Sequence, residues 1–550
     1  MSHITPQKRI SAICAAATGL ITLLVYLRAL SCGFVNLDDP DYILNNPLIR
    51  HLDFDMLMSA FSQAHLGWWM PLTWVSFAVD YHFWGLNPLG YHLTNIMLHA
   101  VNTGLVVLIA DRVTRQGPWT GDWEAGTKGW IYPVAPLLAG ILWGIHPLRV
   151  ESVAWVTERK DVLNGLFSLG CVYFYFCYVQ LKNGGGKGTA RAYILSLLLF
   201  ALSLMAKSVS VVLPLMLLVI DWYPLQRLRR VSVAQLLLEK IPFITLSIVM
   251  AFSTVYFTAQ SQYLINYEMF PFSQRLVVSG NAIFEYLRLL LFPVGLIAFY
   301  VIPDPIPIAY TVTSAFVIAL CVVIFIFRKH RWLPVTWLCF VIPLLPVLAF
   351  LQNGDQSFAA RFTYLSAVAP SIAAAFIIVA VYVKATRTGR RIAPLAVAAT
   401  MAGLMLYYGV ITVRLIASWK DSDTLWSRMI DLQPGAIVYK ERGIYYYSVG
   451  KYSAAINDFS TALKIAPKAW HPYLYNLLAY RGESLRSTGR YAEAIQDFTA
   501  AIVCRPLPAY YHLRGLALKG LGRSSEAEED FRRAGPDPEK LGWQWIRSEN

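Results

Sequence analysis

Three aspartates, Asp38, Asp39 and Asp41, stand almost side by side just after a long apolar run. Adjacent carboxylates beside a bilayer suit a general base or a cation ligand, because crowding and partial desolvation raise a carboxylate's pKa toward the working range. The Asp39-Pro40-Asp41 spacing fits a plain turn with Asx capping equally well, and the residue types alone leave the two readings level. A second set of candidates is cationic. Arg159, Lys160, Lys207 and Arg361 fall on the outer side of the chain in otherwise apolar surroundings, where an ionisable group is costly to keep and is therefore a functional candidate. Arg grips phosphate through two parallel N–H bonds and Lys acts as a point charge; the plain alternative is snorkelling to lipid headgroups. Tyr364 lies one helical turn from Arg361 and can share its ligand. His92, Asn95, His99 and Asn102 recur at helical spacing on one face, which fits metal ligation but fits hydrogen bonding between helices better. His146 and Glu151 are accessory candidates in the same region. The residues do not fix whether a divalent cation takes part.

These side chains must be positioned by membrane helices. At 56% hydrophobic residues, 14% aromatic residues and a mean hydropathy of +0.47, the 550 residues exceed what a soluble domain can bury. Apolar runs recur at about 11–30, 92–110, 132–147, 162–181, 192–206, 208–221, 241–259, 309–327, 332–350, 363–383 and 393–416, eleven expected spans of an all-α polytopic bundle. The shorter ones imply helices that end inside the protein or line a cavity, where irregular backbone can be satisfied. Residues 276–308, broken by Pro293, Pro303, Pro305 and Pro307, are expected to be re-entrant or to lie against the outer face. The first run follows Lys8 and Arg9 and reads as a retained signal anchor, and Ala29-Leu30-Ser31-Cys32 matches a lipoprotein cleavage site only weakly.

A formal charge of +14 would suit nucleic acid, but the charges are segregated by loop. With the N-terminus in the cytoplasm, Arg112 and Arg115, Lys182 to Arg191, Arg227 to Lys240, Arg328 to Arg331 and Lys384 to Arg391 all fall on the inner side, as the positive-inside bias requires. No nucleic-acid partner is expected. An odd number of spans then puts the loop 31–91 and everything after residue 417 outside the cytoplasm. Seven scattered cysteines form no disulfide framework, and no Asn-x-Ser/Thr sequon occurs, which favours a bacterial inner membrane with a periplasmic tail, or the ER membrane in a eukaryote.

The tail is a repeat. Gly450-Lys451-Tyr452, Gly489-Arg490-Tyr491 and Gly522-Arg523-Ser524 each precede an alanine (Ala455, Ala494, Ala527) and then a phenylalanine (Phe459, Phe498, Phe531), at separations of 39 and 33 residues. Pro434, Pro467 and Pro506 close successive units, and the pattern is that of tetratricopeptide helix pairs. Such an array offers a groove for an extended polypeptide, with Tyr445, Tyr446, Tyr473, Tyr510 and Tyr511 as contacts or, equally, as packing between helices. The expected domains are 1–417 in the membrane, 418–538 as a repeat solenoid and 539–550 as a tail.

Leu37-Asp38-Asp39 after the first span, Pro71-Leu72-Thr73-Trp74, Gly85-Leu86-Asn87-Pro88, Tyr91-His92-Leu93-Thr94-Asn95 leading to His99, and His146-Pro147 followed by Glu151 and Arg159-Lys160-Asp161 resemble the transmembrane-and-tetratricopeptide-repeat O-mannosyltransferases and their bacterial relatives, which are GT-C glycosyltransferases. The similarity runs over essentially the whole chain, repeats included. It departs in the short repeat array and in Ala360-Arg361-Phe362-Thr363-Tyr364-Leu365-Ser366, which matches the family's Arg-Tyr-Leu-Pro pattern only in part. The resemblance implies a GT-C membrane domain and inverting transfer of a sugar, mannose above all, from a polyprenyl- or dolichyl-phosphate donor to Ser or Thr hydroxyls of a protein or peptide acceptor. It implies Asp38 as base, Asp39 as an orienting group, and a phosphate clamp among Arg159, Lys160, Lys207 and Arg361. The rival classes are a silent scaffold acting through its repeats and a lipid or solute transporter.

Overall fold

The computed structural model describes residues 6–116, 128–260, 271–351, 356–387, 392–466 and 474–536. The chain forms two compact units, one of residues 1–32 and 48–417, the other of residues 33–47 and 418–550. Almost every element is a helix; a two-stranded antiparallel ribbon pairs Tyr300–Val301 with Gln356–Phe358.

Among the described residues, eight helices are long and apolar enough to cross a membrane: Arg9–Ser31, Pro88–Arg115, Val156–Asn183, Thr189–Ala206, Val233–Phe257, Ile308–Ile326, Val368–Arg387 and Ile392–Trp419. Pro133–Gly144 and Pro147–Ala154 form a pair bent by 54° that makes a ninth if it is one span, so fewer than the eleven expected spans are long enough to cross: Ser208–Trp222 and Trp332–Val347 are apolar but shorter helices. The protein is therefore a multi-pass membrane protein. The helix Phe272–Leu291, which carries Arg275, Glu285 and Arg288, runs into the first part of the proline-broken segment.

Helix Pro88–Arg115 is the hub, packed on the N-terminal helix, on Lys128–Gly144 and on Arg159–Asn183. Small residues let these backbones approach closely, since lipid gives no hydrophobic drive between helices. A Cβ at Gly19 would stand 2.9 Å from the Ala100 carbonyl oxygen. Polar residues on the hub then tie the bundle together. His99 Nε2 bonds the Gly144 carbonyl oxygen at 2.9 Å and Asn102 Nδ2 donates to the Val162 carbonyl at 2.8 Å. Elsewhere, Asp221 accepts from Lys240 Nζ at 2.7 Å and from Tyr175 Oη at 2.8 Å, and Arg227 donates to Glu239 at 2.7 Å. Two residues counted above with the inner basic loops, Arg227 and Lys240, are thus buried in an ion-pair network instead of solvated.

In the second unit, three helix pairs follow one another: Ala436–Ser448 with Tyr452–Ile465, Leu474–Ser487 with Tyr491–Cys504, and Pro508–Gly520 with Ser524–Ala534. Each pair turns on a glycine at positive φ, Gly450 at 75°, Gly489 at 78° and Gly522 at 79°, a region open to glycine at little cost. Within each pair the phenylalanine ring rests on a second glycine of the first helix; a Cβ at Gly482 would come within 2.9 Å of Phe498. An ion pair recurs beside it, Arg442–Asp458 at 2.7 Å, Arg481–Asp497 at 2.6 Å and Arg514–Asp530 at 2.7 Å. The Gly, Ala and Phe positions are legible in the sequence; this ion pair is a further element of the repeat that the sequence pattern did not single out. The expected tail, 539–550, lies outside the described residues.

Candidate active site

The chain after Gly144 is broken three times before it resumes as a long helix at Arg159. His146 precedes Pro147, its Nδ1 accepts from the Leu148 N–H at 3.2 Å, and short turns follow over Pro147–Arg149, Val150–Ala154 and Val156–Glu158. Such irregular backbone needs partners at membrane depth. The amide of Asn95 supplies them, donating toward the carbonyls of Val153 and Trp155 at 3.3 Å and of Val156 at 3.4 Å. The break thereby places Glu151, Glu158, Lys160 and Asp161, all buried, close together at one end of the bundle.

Arg361 arrives from the opposite direction. Its backbone N–H donates to Glu151 Oε2 at 3.0 Å, its guanidinium bonds Glu151 Oε1 and reaches Glu158 at 3.1 Å, and Gln356 on the ribbon accepts from it at 3.1 Å. Burial alone would lower the Arg361 pKa, but Glu151 and Glu158 outweigh it and hold the guanidinium well above its usual range. Lys207, at the C-terminal end of Thr189–Ala206, bonds Asp161 at 2.5 Å and lies 3.4 Å from Glu158. Lys160 lies 3.3 Å from Glu158. The Trp155 ring stands 5.3 Å from the Arg361 guanidinium and 5.7 Å from Lys160, and the Phe362 ring 5.7 Å from Lys207.

Beside this cluster is a cavity of about 450 Å³ lined by Asp161, Asn164, Lys207, Arg361, Phe362 and Tyr364 among others. A second cavity, of about 800 Å³ and almost wholly apolar, runs along Ser168, Val172 and Phe176 of the long helix and Val368 and Ile372. Leu213, Met216 and Leu365 line both. The pair can hold a charged group and an adjoining hydrocarbon chain.

Three of the four expected cations, Lys160, Lys207 and Arg361, therefore meet in one place with Glu151. Arg159 does not join them. It points into the protein, paired with Asp80 at 2.6 Å and bonded to Ser76, Tyr91 and Asn95, so its donors go to structure. Tyr364 lines the cavity with its ring, while its hydroxyl accepts from Asn102 at 2.9 Å and bonds His99 Nδ1 at 2.8 Å. His146 Nε2 bonds the Leu290 carbonyl oxygen at 3.0 Å and its ring packs on Tyr408, away from the cations. Glu158 went unremarked in the sequence reading. The signal was present: Arg149, Glu151, Glu158, Arg159, Lys160 and Asp161 crowd one stretch between apolar runs. Among the described residues, no group of three or more His, Cys, Asp or Glu side chains is arranged to hold a metal ion.

Asp38 and Asp39 belong to the second unit, in the segment 33–47. There Asn36 anchors the segment, accepting from Trp426 Nε1 at 2.7 Å and donating to the Glu441 carbonyl at 2.9 Å. Asp39 is buried and its Oδ2 accepts from the Val35 N–H at 2.9 Å; it stands at the N-cap of Pro40–Leu44 without a side-chain capping bond. Asp38 is half-buried. Of the repeat tyrosines, Tyr446 bonds Asp423 at 2.8 Å and Tyr510 bonds Asn476 at 2.8 Å from within the core. Tyr445 packs on Tyr446, and Tyr511 stands 5.7 Å from the Arg514 guanidinium. Tyr473 lies outside the described residues.

A tetratricopeptide-repeat family model matches residues 508–534. Among curated relatives, Protein O-mannosyl-transferase TMTC4 of Mus musculus is 29% identical over 220 residues, covering 38% of this chain and 29% of the relative. Protein O-mannosyl-transferase Tmtc1 of Drosophila melanogaster is 31% identical over 207 residues (36% and 21%), and tmtc2 of Xenopus laevis 30% identical over 169 residues (29% and 18%). The matched stretch spans less than a third of each relative's length. The crystal structure of ArnT from Cupriavidus metallidurans bound to undecaprenyl phosphate aligns over 94% of this chain and 76% of that one, at a TM-score of 0.34 and 14% identity, a likeness too low to build on. The resemblance drawn from the motifs is thus matched by curated homologues of the same O-mannosyltransferase kind.

Proposed function

We propose that this chain, a homologue of the protein O-mannosyl-transferases, is a membrane glycosyltransferase that moves a sugar, mannose in the first instance, from a polyprenyl-phosphate donor to a hydroxyl of a protein acceptor. The observation that carries the reading is the meeting of Lys207 and Arg361 in the wall of a cavity that adjoins an apolar one. The pairing suits a phosphate attached to an isoprenoid tail: two cations for the head and a hydrocarbon-lined space for the chain.

The reaction asks for little more. The acceptor oxygen attacks the anomeric carbon, the bond from that carbon to the phosphate oxygen breaks with its electron pair going to phosphate, and the acceptor proton passes to a base. Positive charge fixed at the phosphate stabilises the charge that develops there. Phosphate leaves readily and needs no general acid. We assign the base to Asp38 on the family motif, with attack from the face opposite phosphate and inversion. Asp39, which accepts from the Val35 N–H, orients the acceptor or a neighbouring group. The repeats are assigned to the acceptor polypeptide, and both they and segment 33–47 to the extracytoplasmic side.

Purified full-length protein, incubated with radiolabelled polyprenyl-phosphate-mannose and an acceptor peptide library rich in Ser and Thr, is expected to label peptide, and Arg361→Ala to abolish most of that labelling. Absence of transfer from the wild-type protein with several donor sugars would leave the chain as a scaffold that acts through its repeats.

A further inference from the structure

One carboxylate faces all three cations of the cluster. Glu158 lies 3.1 Å from Arg361 Nε, 3.3 Å from Lys160 Nζ and 3.4 Å from Lys207 Nζ. Two of these cations already have a closer anion: Lys207 lies 2.5 Å from Asp161, and the Arg361 guanidinium bonds Glu151 Oε1, whose other oxygen accepts from the Arg361 backbone N–H. Glu158 is therefore not what fixes them. Nor does it touch the ligand space: its side chain is 1% exposed, and the charged groups in the cavity wall are Asp161, Lys207 and Arg361. It backs the cations from inside the protein. With it three carboxylates, Glu151, Glu158 and Asp161, stand among the three cations.

We infer that Glu158 is a tuning residue, a buried counter-charge that holds down the affinity of the cavity for lipid phosphate so that the spent carrier can leave. The inference rests on the reading of this cavity as the lipid-phosphate site. Its logic is the charge difference between donor and product. The donor is a phosphodiester with one negative charge. The product is a phosphate monoester, which carries about 1.5 to 2 negative charges at neutral pH. Surplus positive charge at the site therefore favours product over donor, and turnover stalls on a retained carrier. A buried like charge close to the ligand opposes that preference, since like charges brought together in a desolvated site are strongly unfavourable.

The test uses the full-length protein in detergent with polyprenyl phosphate, the product, as first probe and polyprenyl-phosphate-mannose as second. Glu158→Gln keeps the side-chain shape and removes the charge. It is expected to bind polyprenyl phosphate at least about tenfold more tightly than wild type, to tighten on the donor by a smaller factor, and to lower KM and kcat together. Product affinity equal to or weaker than that of wild type would overturn the inference and make Glu158 a structural support. Lys207→Ala separates this from the reading beneath it. If it weakens polyprenyl phosphate binding, the site stands whatever Glu158→Gln shows; if it leaves binding unchanged, the site and the inference fall together. Should Glu158→Gln not fold, Glu158→Asp takes its place, because it draws the carboxylate back by one methylene. Its expected product affinity lies above wild type by a smaller factor, and an equal or lower value overturns the inference.

Discussion

Glu151 binds Arg361 twice, once at the backbone N–H at 3.0 Å and once at the guanidinium, so a single buried carboxylate fixes both the path of the chain and the direction of the cation. Arg361 can then face the cavity without rotamer freedom, which lowers the entropy lost on gripping a ligand. The expected consequence is that Glu151→Gln, which still accepts from the backbone but loses its charge, destabilises the protein by about 3 kcal/mol, the low end for breaking a buried ion pair. Donor KM should rise more than kcat falls. Thermal unfolding in detergent and steady-state kinetics check the two parts.

Asp38→Asn is expected to lower transfer by at least about a hundredfold, the low end of what a positioned base contributes, with donor affinity unchanged. Asp39→Asn should cost less turnover, because its oxygen serves a turn hydrogen bond to Val35 that an amide oxygen also accepts. Arg361→Ala, by contrast, should weaken donor binding and turnover together, since phosphate is present in both ground and transition states. Near-normal turnover in Asp38→Asn removes the assignment of the base.

Much of this was legible in the sequence because it follows from composition and period. The apolar runs give the spans, and Gly450, Gly489 and Gly522 give the turns of the repeat, since both depend on local residue type. The grouping of Lys160 with Lys207 and Arg361 was legible only as a list of costly charges. What chose among them was tertiary: Arg159 left the list because Asp80, on the helix Pro71–Trp84, stands where its guanidinium points. Glu158 could not be grouped from sequence, because two of its three partners, Lys207 and Arg361, come from distant sequence positions. Asp39 is the opposite case. Its spacing fits a base and an Asx-capped turn alike, and its burial is a property of the tertiary fold that spacing does not carry.

Charge segregation gives a direct test of topology. With single cysteines placed near Gly489 and near Arg387 in a background lacking the native cysteines, an impermeant thiol reagent applied to intact cells is expected to modify the first and spare the second. Labelling at Arg387 alone would invert the assignment, and with it the side on which the repeats meet an acceptor.

The repeated Arg–Asp pairs predict a stability effect confined to the second unit. Arg481 donates to both oxygens of Asp497, which is 7% exposed, and reaches Ser460 of the preceding pair. Arg481→Ala leaves that carboxylate buried without its partner and is expected to cost about 2 kcal/mol, in the range for hydrogen bonds to charged groups. Limited proteolysis should show faster cleavage within 436–534 and unchanged protection of the membrane helices.

Gly165 offers the sharpest check on the geometry of the site. It lies in the long helix one turn beyond Asp161, and a Cβ there would strike the Tyr364 ring and stand 3.0 Å from Asn102 Nδ2. The ring has nowhere to go: Asn102 and His99 hold its hydroxyl at 2.9 and 2.8 Å, and Trp143 packs edge-on against it at 5.0 Å. Two effects of Gly165→Ala therefore oppose each other. The helix gains up to about 1 kcal/mol from the change in propensity, and overpacking of a fixed neighbour costs about 1–3 kcal/mol. The second wins, because the displaced ring carries with it the segment Ala360–Ser366 and the cation beside it. The expected result is a net loss of about 1 kcal/mol in stability together with a raised donor KM. Gly403→Ala is the matched control, since a Cβ at that helical position meets nothing within 4 Å. It should be neutral or stabilising with unchanged kinetics. Equal behaviour of the two variants in melting and in donor KM would show that Tyr364 is not held where the cluster requires it.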